Sequence, residues 1–165
     1  LRRIPWSGYT TLLVLVVLWI SSSMTYENQT IKPGIEQYIP LDWVRHLEWI
    51  RFTYETEVSV DALGRAGFIE FLIRKLAHLS TFFVLGFSLI DLTRRAVPSF
   101  GVAVLFAYSL AVTFAVFDEF HQILTGGRTG MIEDALLDGL GALAGILAYS
   151  LFFRRRRTDK LKIRV

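Results

Sequence analysis

The sequence predicts an all-α fold, a polytopic membrane helical bundle with four predicted transmembrane helices and an amphipathic helix on the outer leaflet. Three observations predict it. Of the 165 residues, 53% are hydrophobic, and the mean hydropathy is +0.44, too apolar for an ordinary soluble domain. Four segments, at about residues 6–24, 67–92, 99–125 and 131–153, hold the run of roughly 20 mostly apolar residues that a span needs. Lysine and arginine gather beside alternate ends of those segments.

The basic clusters set the expected orientation. Arg2 and Arg3 precede the first span, Arg94 and Arg95 fill the turn between the second and third, and Arg154 to Arg157 with Lys160, Lys162 and Arg164 follow the fourth. Four spans place all of them on one side, which the positive-inside rule makes the cytoplasm. Both termini are then cytoplasmic, with a basic tail over residues 154–165 and an extracytoplasmic segment over about residues 25–66. From Thr25 to Glu70 the chain carries eight acids against four bases. The first span also resembles a secretory signal, since Ser21, Ser22 and Ser23 follow an apolar run; a retained anchor is the favoured reading. A basic tail directly after a span anchors topology against anionic lipid, so no nucleic-acid partner is expected. The chain has no cysteine, which excludes disulfides, zinc–thiolate sites and a thiol nucleophile. Residues 1–165 read as a single membrane domain.

Lys32-Pro33-Gly34 marks a turn in the outer segment. Beyond it, Leu41, Val44, Leu47, Ile50 and Tyr54 recur at helical spacing with Trp43 and Trp49 nearby, which predicts the amphipathic helix, either a lid or a substrate-facing surface. Pro98 opens the third span. In the fourth, Gly141 and Gly145 form a GxxxG pair that suits packing within the bundle better than a homodimer.

Charges inside these spans carry the functional signal. One charge at the bilayer centre costs roughly 2.5–3.5 kcal/mol on insertion scales, so such residues pair or face a polar cavity. Lys75 and His78 share a face of the second span, roughly 10–17 Å from its outer end. Arg74 either flanks them or snorkels outward. Asp118, His121 and Gln122 neighbour one another near the outer end of the third span, with Glu119 rotated by ~100°. Glu133 and Asp134 open the fourth helix, where acids favour the dipole, and Asp138 lies one turn deeper. Three helices thus bring polar residues to one depth, predicting a shared site.

Several chemistries fit it. Asp118 or Glu119 could act as a general base, with His78 or His121 as the acid. Gly126-Gly127-Arg128 before a helix N-terminus could hold an anionic group. Lys75 with Asp118 could instead be a structural ion pair, and Asp138 beside Gly139 and Gly141 could simply hold helices together. His78, His121 and carboxylates match no familiar zinc spacing, so no metal and no other cofactor is expected. Ser80 has no evident triad.

At these residues the chain resembles the VanZ-like family of bacterial membrane proteins. The first block is RKLAHLSTFFVLGF, with Lys75 and His78 at the family's polar positions; the second is DEFHQILTGGRTGMIEDALLDGLGALAG, where Asp118, Glu119, Gln122, Arg128 and Asp134 match, followed by Gly141 and Gly145. Asp138 departs from the pattern, since many relatives carry Asn there. The resemblance implies a multi-pass bundle in the bacterial cell membrane, and the founding member is associated with low-level resistance to teicoplanin, a lipoglycopeptide antibiotic. By analogy it points to a membrane lipid or lipid-linked envelope precursor, or a glycopeptide antibiotic, as partner. Three readings follow. The first is an enzyme with Asp118, Glu119 and His78 as catalytic residues and Lys75, Gln122, Arg128 and Asp134 binding substrate. The second is a non-catalytic binding or resistance factor using the Trp43–Tyr54 helix. The third is a structural scaffold whose ionic cluster serves assembly.

Overall fold

The computed structural model describes residues 4–54, 56–125 and 131–162, with side chains as far as Phe153. The described chain is mostly helical. In order it holds α1 (Trp6–Ser22), α2 (Tyr26–Gln29), α3 (Lys32–Tyr38), a 3-10 helix (Asp42–Leu47), β1 (Phe52–Tyr54), β2 (Thr56–Val58), α4 (Val60–Ala96), α5 (Phe100–Thr125) and α6 (Ile132–Lys162). Among the described residues α4, α5 and α6 are long and apolar enough to cross a membrane, whereas α1 is apolar but only 17 residues long. Many large apolar side chains point outward, among them Leu13, Leu105, Leu136, Leu140 and Leu151. Water would penalise such a surface and acyl chains would not.

Helix α4 starts where the Ser59 hydroxyl accepts the Ala62 N–H at 3.1 Å. At Gly64 the backbone reaches φ +69°, a left-handed conformation that glycine adopts without a Cβ clash, and the helix kinks before entering the bundle. It ends with Arg94 and Arg95 in its last turn and with Val97 extended ahead of Pro98.

Small residues set how closely the long helices approach. Ala103, Ala107, Ala111 and Ala115 line one face of α5 at four-residue spacing, and none has exposed surface. The same face continues into Asp118, Glu119 and Gln122, all buried. On α6, Gly141 and Gly145 lie against the α4 backbone at Leu79 and Phe83, so the GxxxG pair packs within the bundle. The core between them is Phe82, Leu85, Leu89 and Ile90 of α4 with Ala142 and Ile146 of α6. Helix α1 adds Val14 and Leu18. At the end carrying Arg94 and Arg95, Ser7 and Tyr149 donate to Asp91 at 2.7 and 2.8 Å, tying α1 and α6 to α4.

The outer segment corrects two expectations. Lys32, Pro33 and Gly34 form the first turn of α3 rather than a connecting turn; proline is tolerated there because the first-turn N–H groups have no intrahelical acceptor. The amphipathic helix over Leu41–Tyr54 is absent. Its place holds the 3-10 helix and a hairpin with Phe52 opposite Val58, Thr53 opposite Glu57 and Tyr54 opposite Thr56. The inward set was nevertheless the expected one: Val44 is fully buried, and Leu41, Leu47, Ile50 and Tyr54 pack beside it. Phe52, Thr53, Tyr54, Thr56 and Val58 are strand-favouring residues, and pairing of the two short strands satisfies their backbone. Trp49 is exposed at the bend.

Candidate functional site

The expected site residues converge at the end of the bundle beneath the hairpin, but they divide into two neighbouring groups. In the first, the Lys75 ammonium pairs with Asp134 Oδ1, and the Tyr54 hydroxyl donates to the same oxygen. Lys75 Nζ also lies 4.3 Å from the Tyr54 ring centroid and 5.2 Å from that of Phe71. These rings meet edge to face at 5.5 Å. The cation is therefore held by one carboxylate and two aromatic faces. Burial, and then the hydrogen bond to the Asp134 carboxylate, push the Tyr54 phenol well above its ordinary pKa, because losing the proton would place a second anion beside the first. Lys75 does not pair with Asp118; the rotation of α4 and α6 puts Asp134 within its reach instead.

The second group lies deeper. His78 of α4, Asp118 and Glu119 of α5 and Asp138 of α6 each offer a nitrogen or oxygen atom, and these four atoms lie within 4.8 Å of one another. Asp118 and Glu119 are 5% and 6% exposed, and Asp138 has no exposed surface. Hydrogen bonds orient the carboxylates from behind. Gln122 Nε2 donates to Asp118 Oδ2 at 2.7 Å and lies 3.4 Å from Glu119 Oε1, while the Met131 backbone N–H donates to Glu119 Oε2 at 2.9 Å. His78 Nδ1 faces Asp138 Oδ2 at 3.4 Å. Among the described residues Asp138 Oδ1 has no hydrogen-bond partner. Neither Glu119 nor Asp138 is in an ion pair with lysine or arginine among those residues. So Asp138 stands in the same cluster as His78, Asp118 and Glu119 as well as between helices.

Other expected participants lie elsewhere. His121 Nδ1 is 2.8 Å from the Ser22 hydroxyl, and its ring stacks on Trp19 at 4.2 Å, so it ties α5 to α1. Arg74 bonds Glu70 at 3.2 Å and covers the Tyr26 ring at 4.5 Å. Glu70, 1% exposed, also accepts the Ile31 N–H at 3.0 Å and the Thr30 hydroxyl at 3.2 Å, fastening the outer segment to α4. Arg128 and its neighbours Gly126 and Gly127, with the anion-holding role expected of them, lie outside the described residues. Sequence reasoning missed Tyr54 as a site residue, because it read as one more apolar position of a helix.

A cavity of about 130 Å³ between α1 and α5 touches this group. Leu15, Leu18, Trp19, Phe114 and Phe117 form its apolar walls, and Ser22 and Asp118 are its polar members. Asp118 thus borders an apolar groove on one side and the carboxylate–imidazole cluster on the other.

No curated protein and no solved structure matches the chain. A family model does: VanZ/LLP1, over residues 8–153, which overlaps all four apolar helices and includes both polar groups. That match spans nearly the whole chain, and the protein belongs to the VanZ/LLP1 family.

Proposed function

We propose that this protein spans the bacterial cell membrane four times, with both termini in the cytoplasm, and that its polar site faces outward and acts on a lipid-linked cell-envelope molecule. The observation that carries this reading is the meeting of an apolar groove and buried carboxylates at Asp118. An amphiphile would lay its hydrocarbon chain along Leu15, Leu18 and Phe117 and bring its head group to the cluster. Lys75 and Arg128 supply cations for an anionic head, with Gln122 and Asp134 fixing the surrounding side chains. Asp118 or Glu119 carries the acid–base work, assisted by His78, a contribution of typically 10²–10⁴-fold in rate. An altered precursor would change how the envelope meets a glycopeptide such as teicoplanin.

Two measurements test this. The cysteine-free chain allows single-cysteine labelling: Arg128→Cys is expected to react with an impermeant reagent from outside, and Thr158→Cys only after the membrane is opened. Labelling of both from the same side would overturn the topology. Envelope lipids and glycans of cells with and without the protein are expected to differ in at least one amphiphile. Asp118→Asn and Glu119→Gln, at wild-type protein levels, should fail to restore it. Full restoration by both variants would remove the proposed base.

A further inference from the structure

We propose that His78, Asp118, Glu119 and Asp138 bind a single divalent transition-metal ion, of the zinc or manganese type. The binding stands on geometry alone; only the ion's use on an envelope molecule rests on the function proposed above.

The donor atoms come from three helices and already lie within 4.8 Å of one another. Four ligands held tetrahedrally about 2.0–2.2 Å from a zinc ion lie roughly 3.3–3.6 Å apart, so closure around an ion needs side-chain shifts of less than about 1 Å each. Electrostatics points the same way. Three carboxylates are almost wholly out of solvent, and Glu119 and Asp138 have no lysine or arginine in an ion pair among the described residues. Buried charges of this kind are paired or coordinate a metal. Asp138 makes the point most sharply. Its carboxylate has no exposed surface, Oδ2 faces His78, and Oδ1 has no hydrogen-bond partner among the described residues, an arrangement a coordinated cation would complete. The bonds from Gln122 to Asp118 and from the Met131 N–H to Glu119 orient ligands from behind, as outer partners do at metal centres.

The donor set narrows the ion. One imidazole nitrogen among carboxylate oxygens disfavours calcium, which takes oxygen ligands, and the absence of thiols leaves nothing to select copper(I). Zinc and manganese suit mixed nitrogen and oxygen donors. A bound ion would add a Lewis acid beside the groove, suited to an anionic oxygen such as that of a phosphate ester. Asp118 and Glu119 would then serve as ligands before they serve as bases.

The test uses the full chain, purified in detergent through a tag that binds no metal. Elemental analysis is expected to find about one zinc or manganese per chain. Chelation should remove it and lower the melting temperature, and adding back Zn²⁺ or Mn²⁺ separately should restore both and show which ion is preferred. Asp138→Asn and His78→Gln are expected to lose the bound ion while still eluting as single species. Asp91→Asn, at the opposite end of the bundle, is expected to keep it. Folded wild-type protein with no metal above the buffer blank, and no thermal shift with either ion, would overturn the site and indicate carboxylates held by protons. Wild-type metal content in Asp138→Asn would overturn it as well. The two proposals fail separately. Metal-free protein whose Asp118→Asn variant still loses the envelope amphiphile overturns only the ion, whereas a metal-loaded protein with no effect on envelope composition overturns only the function.

Discussion

Gly145→Ala is expected to cost the fold about 3 kcal/mol or more, the upper end of what overpacking does, because the obstacle is backbone on both sides. A methyl group there would overlap the Phe83 carbonyl oxygen and lie 2.9 Å from both Phe83 C and Phe87 N. No side chain can rotate away; α4 and α6 would have to separate. Gly141 meets Leu79 O at 2.5 Å, and Gly86 meets Ala142 C at 2.8 Å, so the close approach runs over two turns. At roughly 2–4 °C per kcal/mol for a chain of this size, Gly145→Ala should melt about 6–12 °C below wild type in detergent. Gly145→Leu should yield no monodisperse protein. Gly101→Ala is the control, since nothing lies within 4 Å of its added methyl and alanine is the better helix former. Equal melting of Gly145→Ala and Gly101→Ala would mean that the α4–α6 contact is misplaced. The contact matters beyond stability. Gly141 lies three residues past Asp138 and Leu79 one past His78, so this approach brings His78 to 3.4 Å from Asp138. Gly141→Ala should therefore weaken the cluster even where the protein still folds.

How much of this was legible in the sequence follows from what each feature depends on. Long apolar runs with charges at their ends are local properties, and the segments 67–92, 99–125 and 131–153 fall on the three long helices α4, α5 and α6. The shared depth of Lys75, His78, Asp118, Glu119, Gln122 and Asp134 follows from helix rise alone, and these residues do converge. Rotation about each helix axis does not follow from rise. It is set by which small residues face inward, the alanine stripe of α5 and the glycines of α6. Nothing local revealed that Lys75 would take Asp134 or that Asp138 would join His78. The hairpin over Phe52–Val58 was illegible for another reason. Its inward residues fit helical spacing, and its aromatic and β-branched content fits a strand; only packing on Phe68, Ile69 and Phe71 decides between them. Glu70 was hidden in plain composition, one acid among eight between Thr25 and Glu70 and at the edge of an expected span.

The Lys75–Asp134 pair is the second place where a single change should be costly and a double change informative. The two side chains are 18% and 14% exposed, and removing one partner of so enclosed a pair leaves the other charge without compensation. A fully buried pair costs 3–5 kcal/mol when broken this way. Partial access to solvent and the Tyr54 hydrogen bond that still reaches Asp134 reduce this to about 2–3 kcal/mol for Lys75→Met. Asp134→Leu leaves an ammonium facing two aromatic rings and should cost about as much. The double variant replaces both charges with apolar groups, so it should lose less than the sum, with a coupling of at least about 1 kcal/mol in a double-mutant cycle of thermal melts. Strict additivity would mean the contact is not made. The cycle belongs near neutral pH, where Tyr54 keeps its proton in both states. Its raised pKa adds stability that is present below the ordinary phenol value of about 10 and lost as pH climbs beyond it, so wild type should weaken more than Tyr54→Phe as pH rises into strong alkali. The same variants separate a scaffold from a working site. If the pair serves assembly alone, the double variant regains stability and envelope function together. If Lys75 holds an anionic head group, stability returns while the envelope profile stays that of cells lacking the protein.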